Sequence, residues 1–167
     1  MRNSRRNKVW IYLSLIVAIS FDLYLPLESV MSWKPLLTLL FLIYWNMALP
    51  DKVGILEALF FGVVLDLSTG TILGLHAVMF VLITYICQRF FYQFRVSPIW
   101  QQSTILFFLF FIFKLVFAFD FYGLQRDSSL IDSGYILTAF IFAISSAFAW
   151  PLVFFILRAY RRKRMKS

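Results

Sequence analysis

Six ionisable side chains fall within or at the edge of apolar stretches: Asp22, Glu57, Asp66, His76, Lys114 and Asp120. At membrane depth such groups are rare and mark ion paths, proton relays or buried pairs. Phosphoryl transfer or hydrolysis would need a nucleophile, a base and charge-stabilising groups within reach of one another. The chain has one histidine, which excludes a two-histidine phosphatase. Gly62-x-x-x-Asp66 matches one fragment of a lipid phosphotransferase aspartate cluster, without the further aspartates and arginine that such a site requires. A metal would need several converging ligands, and no His/Cys/Asp/Glu cluster is spaced to supply them. The single cysteine, Cys87, allows no internal disulfide; it reads as a buried thiol, with palmitoylation the alternative. The residues therefore point to no catalytic, cofactor or metal site, and the chain reads as not an enzyme.

What remains is pairing and packing. Asp22, Asp66 and Asp120 each lie within about one turn of the outer end of an apolar segment, and Lys114 lies about 8 Å below such an end. Asp120 is six residues beyond Lys114, a rotation of about 240° and not a shared helix face. Two readings stand. The charges are boundary groups that reach the headgroups, with Lys114 snorkelling on its long stem; or Lys114 pairs with Asp66 across two helices, for packing and specificity. Around Asp66, the residues Ala58, Gly62, Asp66, Gly70 and Gly74 recur every four positions. Small residues at this spacing let helices approach closely in lipid. They form either a structural hairpin or a groove that faces a partner. His76 reads as a satisfied core histidine.

The elements that hold these residues follow from composition. The chain has 167 residues, of which 62% are hydrophobic, 20% aromatic and 14% charged. Soluble domains average about 45–50% apolar and about 25% charged residues. That contrast excludes a soluble enzyme, a disordered tail and a secreted disulfide scaffold, and indicates an all-α integral membrane protein. A helix needs about 20 residues to cross the hydrocarbon. Six transmembrane helices are expected, over Val9–Leu25, Trp33–Leu49, Val53–Leu67, Ile72–Phe94, Trp100–Phe119 and Tyr135–Leu157, in a single domain. Pro26, Pro50, Gly70 and Pro98 punctuate them. The third segment is short, so a re-entrant loop is its rival reading. The fourth holds Cys87, and the Phe-rich run 107–113 in the fifth goes all round a helix, as lipid-facing and packing surface.

Charge placement decides between the alternatives. The net charge is +8, from 16 Lys and Arg against 8 Asp and Glu. Lys and Arg accumulate in cytoplasmic loops. With six spans and an inside N-terminus, the inside set is Arg2, Arg5, Arg6, Lys8, Lys52, Arg89, Arg95, Arg158, Arg161, Arg162, Lys163, Arg164 and Lys166, while Lys34 and Arg126 fall outside. If Val53–Leu67 did not cross, everything downstream would invert. Both termini are therefore expected in the cytoplasm, and the charge is no nucleic-acid footprint. The segment Val9–Leu25 lacks a small-x-small cleavage site and reads as a retained helix, not a signal peptide. Trp10, Trp33, Trp45, Trp100 and Trp150 lie mostly near segment ends, as interfacial aromatics do. The tail Arg158, Arg161, Arg162, Lys163, Arg164 and Lys166 is polybasic and should meet anionic lipid, at about 1 kcal/mol per cation near the surface.

Several stretches in order carry a resemblance: Tyr44-Trp45-Asn46-Met47-Ala48-Leu49-Pro50, Gly62-Val63-Val64-Leu65-Asp66-Leu67-Ser68-Thr69-Gly70-Thr71-Ile72-Leu73-Gly74, Trp100-Gln101-Gln102 and Trp150-Pro151. Together they resemble the rod shape-determining MreD family of Gram-negative bacteria, over almost the whole chain. The resemblance implies a multi-pass protein of the bacterial inner membrane, part of the cell-elongation machinery that regulates cell shape. It implies a fold similar to the six-helix substrate-binding subunits of energy-coupling-factor transporters. It implies MreC as partner, with MreB, RodZ, RodA and the elongation transpeptidase alongside, and no catalytic residue. Asp66, Gly62, Gly70 and Gly74 match the family's characteristic stretch; Lys114 matches none. A non-catalytic scaffold that docks the MreC transmembrane helix is the function expected. The alternative is a substrate-capturing membrane subunit of a small-molecule transporter.

Overall fold

A computed structural model describes residues 2–24, 34–70, 72–123 and 133–164, with side chains over 8–24, 34–70, 72–90, 92–118 and 134–164. Trp33, Arg126, Lys166 and the side chains of Asp120, Arg2, Arg5 and Arg6 lie outside the described residues. Every described element is helical: α1 (Arg2–Tyr24), α2 (Leu37–Ala48), α3 (Ile55–Thr69), α4 (Leu75–Arg89), α5 (Phe91–Val96), α6 (Ile99–Gly123) and α7 (Ser133–Arg164). The segment expected as one helix over Ile72–Phe94 is instead two. It starts later because Gly74 adopts φ +100°, and it divides at Phe90, whose φ of −101° and ψ of 20° leave the helical region. Among the described residues, two helices, over Ile99–Ala118 and Gly134–Arg164, are by length and composition long and apolar enough to cross a membrane.

Consecutive helices pack in pairs, α1 on α2, α3 on α4 and α6 on α7, and α2 also touches α4 and α7. Position explains the shortness of α2. Of its 12 residues, nine are buried, Thr38 and Asn46 among them. A helix that is apolar all round belongs inside others, and this one is the post around which the pairs assemble. Its buried Trp45 donates its indole N–H to Ser14 Oγ of α1 at 2.8 Å. Ser14 Oγ in turn donates to the Ile11 carbonyl at 2.7 Å.

That contact corrects one expectation. Trp45 and Trp150 are core residues, each fully buried, not interfacial ones. Trp150 donates to Gln102 Oε1 at 3.1 Å, and Gln102 Nε2 donates to the carbonyls of Phe94 and Ser97. The reason is chemical: an indole carries a single N–H, so one well-placed acceptor satisfies it in the interior. Trp100 is exposed, as an interfacial aromatic is. The Phe-rich run divides between the two environments, Phe110 and Phe113 buried, Phe108 and Ile112 exposed.

The two terminal helices also meet. The Trp10 and Tyr160 rings pack edge to face with centroids 6.3 Å apart, and the Arg164 guanidinium lies 4.4 Å from the Trp10 ring centroid. Tyr12 donates to Glu57 Oε1 at 3.1 Å, while Glu57 Oε2 accepts the Gly54 N–H at 2.8 Å. Glu57 thus closes the first turn of α3 and ties it to α1.

Candidate functional site

The pair α3–α4 carries the characteristic stretch, and its geometry follows from three residue types. Ala58 is fully buried, and Gly62 is buried against α4. A Cβ on Gly62 would overlap the Ala77 backbone, standing 2.7 Å from its nitrogen. The helices touch backbone to backbone there, which only glycine permits. Gly70 ends α3 at φ +69°, and its N–H donates to the Asp66 carbonyl at 3.0 Å, a left-handed helix cap. Gly74 opens α4 at φ +100°, with nothing near the position of its missing side chain. The five small or acidic positions therefore do not form one groove. Ala58, Gly62 and Asp66 seal the pair, and Gly70 and Gly74 turn the chain.

Asp66 performs the task that Gly74 lacks the atoms for. A helix begins with unpaired N–H groups that the preceding side chain ordinarily accepts. Here the carboxylate comes from the preceding helix. Asp66 Oδ1 accepts the His76 N–H at 2.9 Å, and Oδ2 accepts the N–H groups of Gly74 at 2.9 Å and Ala77 at 3.3 Å. The His76 ring is held by the same group, Nδ1 at 2.8 Å from Oδ1. An ionised carboxylate only accepts, so Nδ1 carries the proton. The ring's faces and edges meet Phe80, Phe113 and Phe117, the last at a centroid distance of 4.5 Å, which ties the cap to α6. Asp66 is 1% exposed.

The pairing of Asp66 with Lys114 expected from sequence remains a proposal. Four donors from its own hairpin, the His76 ring among them, converge on the Asp66 carboxylate. The Lys114 ammonium lies 5.4 Å from the Phe142 ring centroid, and the Lys114 carbonyl accepts the Tyr135 hydroxyl at 2.7 Å. Of the basic tail, Arg158, Arg161, Arg162, Lys163 and Arg164 continue α7 as helix.

Asp22 repeats the arrangement. It sits near the end of α1 and accepts from the N–H groups of Leu37 at 3.1 Å and Thr38 at 2.7 Å, and from Thr38 Oγ1 at 2.6 Å. Lys34 Nζ donates to the α1 carbonyls of Asp22 at 2.6 Å and Phe21 at 3.3 Å. Two short helices, α2 and α4, each start on a carboxylate from the helix before. Sequence reasoning placed both aspartates at one level but missed the caps. A signal was present: the N-cap positions are Leu36 and Gly74, neither of which has a side-chain oxygen.

The arrangement can hold helices in fixed register. Among the described residues the fold is all-helical, with two helices long and apolar enough to cross a membrane. The family model described as "rod shape-determining protein MreD" matches residues 4–160, and the chain belongs to that family. Rod shape-determining protein MreD of Haemophilus influenzae is 34% identical over 131 residues, covering 78% of this chain and 76% of that one. No solved structure matches the chain. Membership assigns the protein to the membrane and to rod shape determination, in a family that is not known for catalysis.

Proposed function

We propose that the chain is a non-catalytic scaffold of the cell-elongation machinery in the inner membrane, which docks the MreC transmembrane helix and helps couple MreB to peptidoglycan synthesis. RodZ, RodA and the elongation transpeptidase are the further partners of this reading. Its topology is six spans with both ends cytoplasmic, in the manner of the substrate-binding subunits of energy-coupling-factor transporters. The charge asymmetry and the contact of Trp10 with Tyr160 and Arg164 support termini on one side. Helices α2, α3 and α4, at about 18 to 22 Å, are shorter than a core of about 30 Å, so local thinning accompanies them.

The observation that carries the docking face is the sidedness of α3–α4. Its inner face is sealed by Gly62 against Ala77, and its outer face presents Leu56, Phe60, Leu67, Val78 and Leu82. A rigid apolar ridge of this kind suits a single crossing helix. Affinity purification of the tagged protein from membranes should recover MreC in fixed ratio. A Leu56→Ala/Phe60→Ala/Leu67→Ala variant should keep its thermal unfolding midpoint in detergent and lose most of the MreC. Undiminished recovery by the folded variant would place the interface elsewhere, and absence of MreC from the parent preparation would end the docking reading.

A further inference from the structure

Helices α4 and α6 pack chiefly on other helices, α4 on α3 and α6 on α7. The chain between them takes a detour. It leaves the helical region at Phe90, runs through the short α5 and turns at Ser97-Pro98 into α6. The Pro98 carbonyl accepts the N–H groups of Gln101 at 3.0 Å and Gln102 at 3.2 Å, which starts α6. The detour borders a cavity of about 690 Å³ between α4, α5 and α6. Its lining is graded. Gln93 and Ser97 of α5 and Gln101 of the first turn of α6 bring amide and hydroxyl groups to one end. Ile105 and Leu109 follow Gln101 at steps of four along one face of α6, and Ile86 of α4 adds to this apolar part. Ser97 Oγ is committed to the Gln93 carbonyl at 2.6 Å. Gln93 and Gln101 are exposed, so their amides are the groups that can meet a ligand.

Apolar lining without contact atoms forfeits dispersion energy, and a bilayer offers hydrocarbon to supply them. The polar end calls for an occupant that also carries hydrogen-bond acceptors, since a glutamine amide donates two N–H bonds. We propose that this cavity seats one phospholipid, with an acyl chain along Ile86, Ile105 and Leu109 and the phosphate or ester oxygens on the amides of Gln93 and Gln101. The volume falls within the range of about 300–1,000 Å³ that small-molecule sites occupy. Length favours a lipid over a partner helix. From Gln101 to Leu109 the slot runs about 12 Å, less than half of a hydrocarbon core of about 30 Å and so the depth of one leaflet. A crossing helix would need a face along the whole depth. Tyr92 and Trp100, the chain neighbours of the two glutamines, are exposed, as aromatics at headgroup level are. The inference needs the chain to lie in a membrane but not the MreC docking reading, whose ridge uses Val78 and Leu82 of α4 and no residue of α6.

The test is native mass spectrometry of the full chain, stripped of lipid in detergent and then given palmitoyl-oleoyl phosphatidylethanolamine. As collision energy rises, one phospholipid should outlast all others. Ile105→Trp, at a partly exposed position, fills the apolar part and should abolish that retained lipid. Gln101→Leu should lose most of it, while Ile112→Trp, on the same helix but outside the cavity, should keep it. The thermal unfolding midpoint of each variant reports that it is folded, and Gln101→Leu serves if the tryptophan variant is not. Diacylglycerol, which has the chains without the phosphate, should leave the parent protein at lower collision energy. Equal retention of diacylglycerol would overturn the headgroup contacts. Loss of every lipid at one energy, or a lipid retained by folded Ile105→Trp, would overturn the site. A folded Ile105→Trp that retains the lipid but no longer co-purifies with a single-span protein would assign the slot to a partner helix instead.

Discussion

Gly62 in α3 backs directly onto Ala77 in α4, so that a methyl group added at Gly62 would stand 2.7 Å from the Ala77 backbone nitrogen. The obstacle is main chain, which cannot rotate away. Gly62→Ala should therefore cost about 1–3 kcal/mol, as overpacking does, read as a lower unfolding midpoint in detergent. Ala77→Gly should not restore it, because the clash is with backbone atoms and not with the alanine methyl. Full rescue by Ala77→Gly would show that the helices are not in backbone contact.

The Asp66 carboxylate separates capping from charge. Asp66→Asn keeps one acceptor oxygen and should be milder than Asp66→Ala, which strands three N–H groups at a cost of about 1–3 kcal/mol for each buried unsatisfied group. The pairing with Lys114 expected from sequence makes the opposite forecast for a swap. Because the cap needs an acceptor at position 66, Asp66→Lys with Lys114→Asp should unfold at a midpoint as low as Asp66→Lys alone. A swap that recovers the parent midpoint would restore the Lys114 pairing as the organising interaction.

Asp22 and Thr38 offer a graded version of the same experiment. Thr38→Val deletes one hydroxyl bond to Asp22 and leaves the two backbone bonds. It should cost about 1.5–3 kcal/mol, the range for a hydrogen bond to a charged group, and Asp22→Ala should cost more. The double variant should cost about as much as Asp22→Ala alone, since the residues share one interaction. Additive losses would mean that Thr38 stabilises α2 by some other contact.

The turn glycines should respond differently from Gly62. Gly70 and Gly74 have open space around the Cβ position but positive φ values of +69° and +100°. Their alanine variants suffer backbone strain alone, about 1–2 kcal/mol. Gly70→Asn should be milder than Gly70→Ala, because asparagine tolerates the left-handed region. If asparagine and alanine at position 70 give equal midpoints, conformation is not what selects glycine there.

Periodicity and charge carried the helical class and most helix positions, since apolar runs and their Pro and Gly punctuation are local signals. Boundaries failed where a local signal was missing: nothing in Ile72–Phe94 announces the break at Phe90. The importance of Asp66 and Gly62 was legible from type and spacing. The contacts of Asp66 with the start of α4 were not, because depth alone does not report a histidine and the first N–H groups on the next helix. Trp45 and Trp150 were assigned to the interface on position along the segment. Their true neighbours, Ser14 and Gln102, are 31 and 48 residues away, a separation no pattern reports.

The borrowed caps of α2 and α4 bear on how the chain enters a bilayer. On the six-span reading, a helix of 12 or 15 residues begins below the headgroups, where its first N–H groups would find no water. Asp22 and Asp66 travel with the preceding helix and supply the missing acceptor from within the hairpin. Each hairpin thus carries the acceptor for the first N–H groups of its own second helix, independent of any later segment.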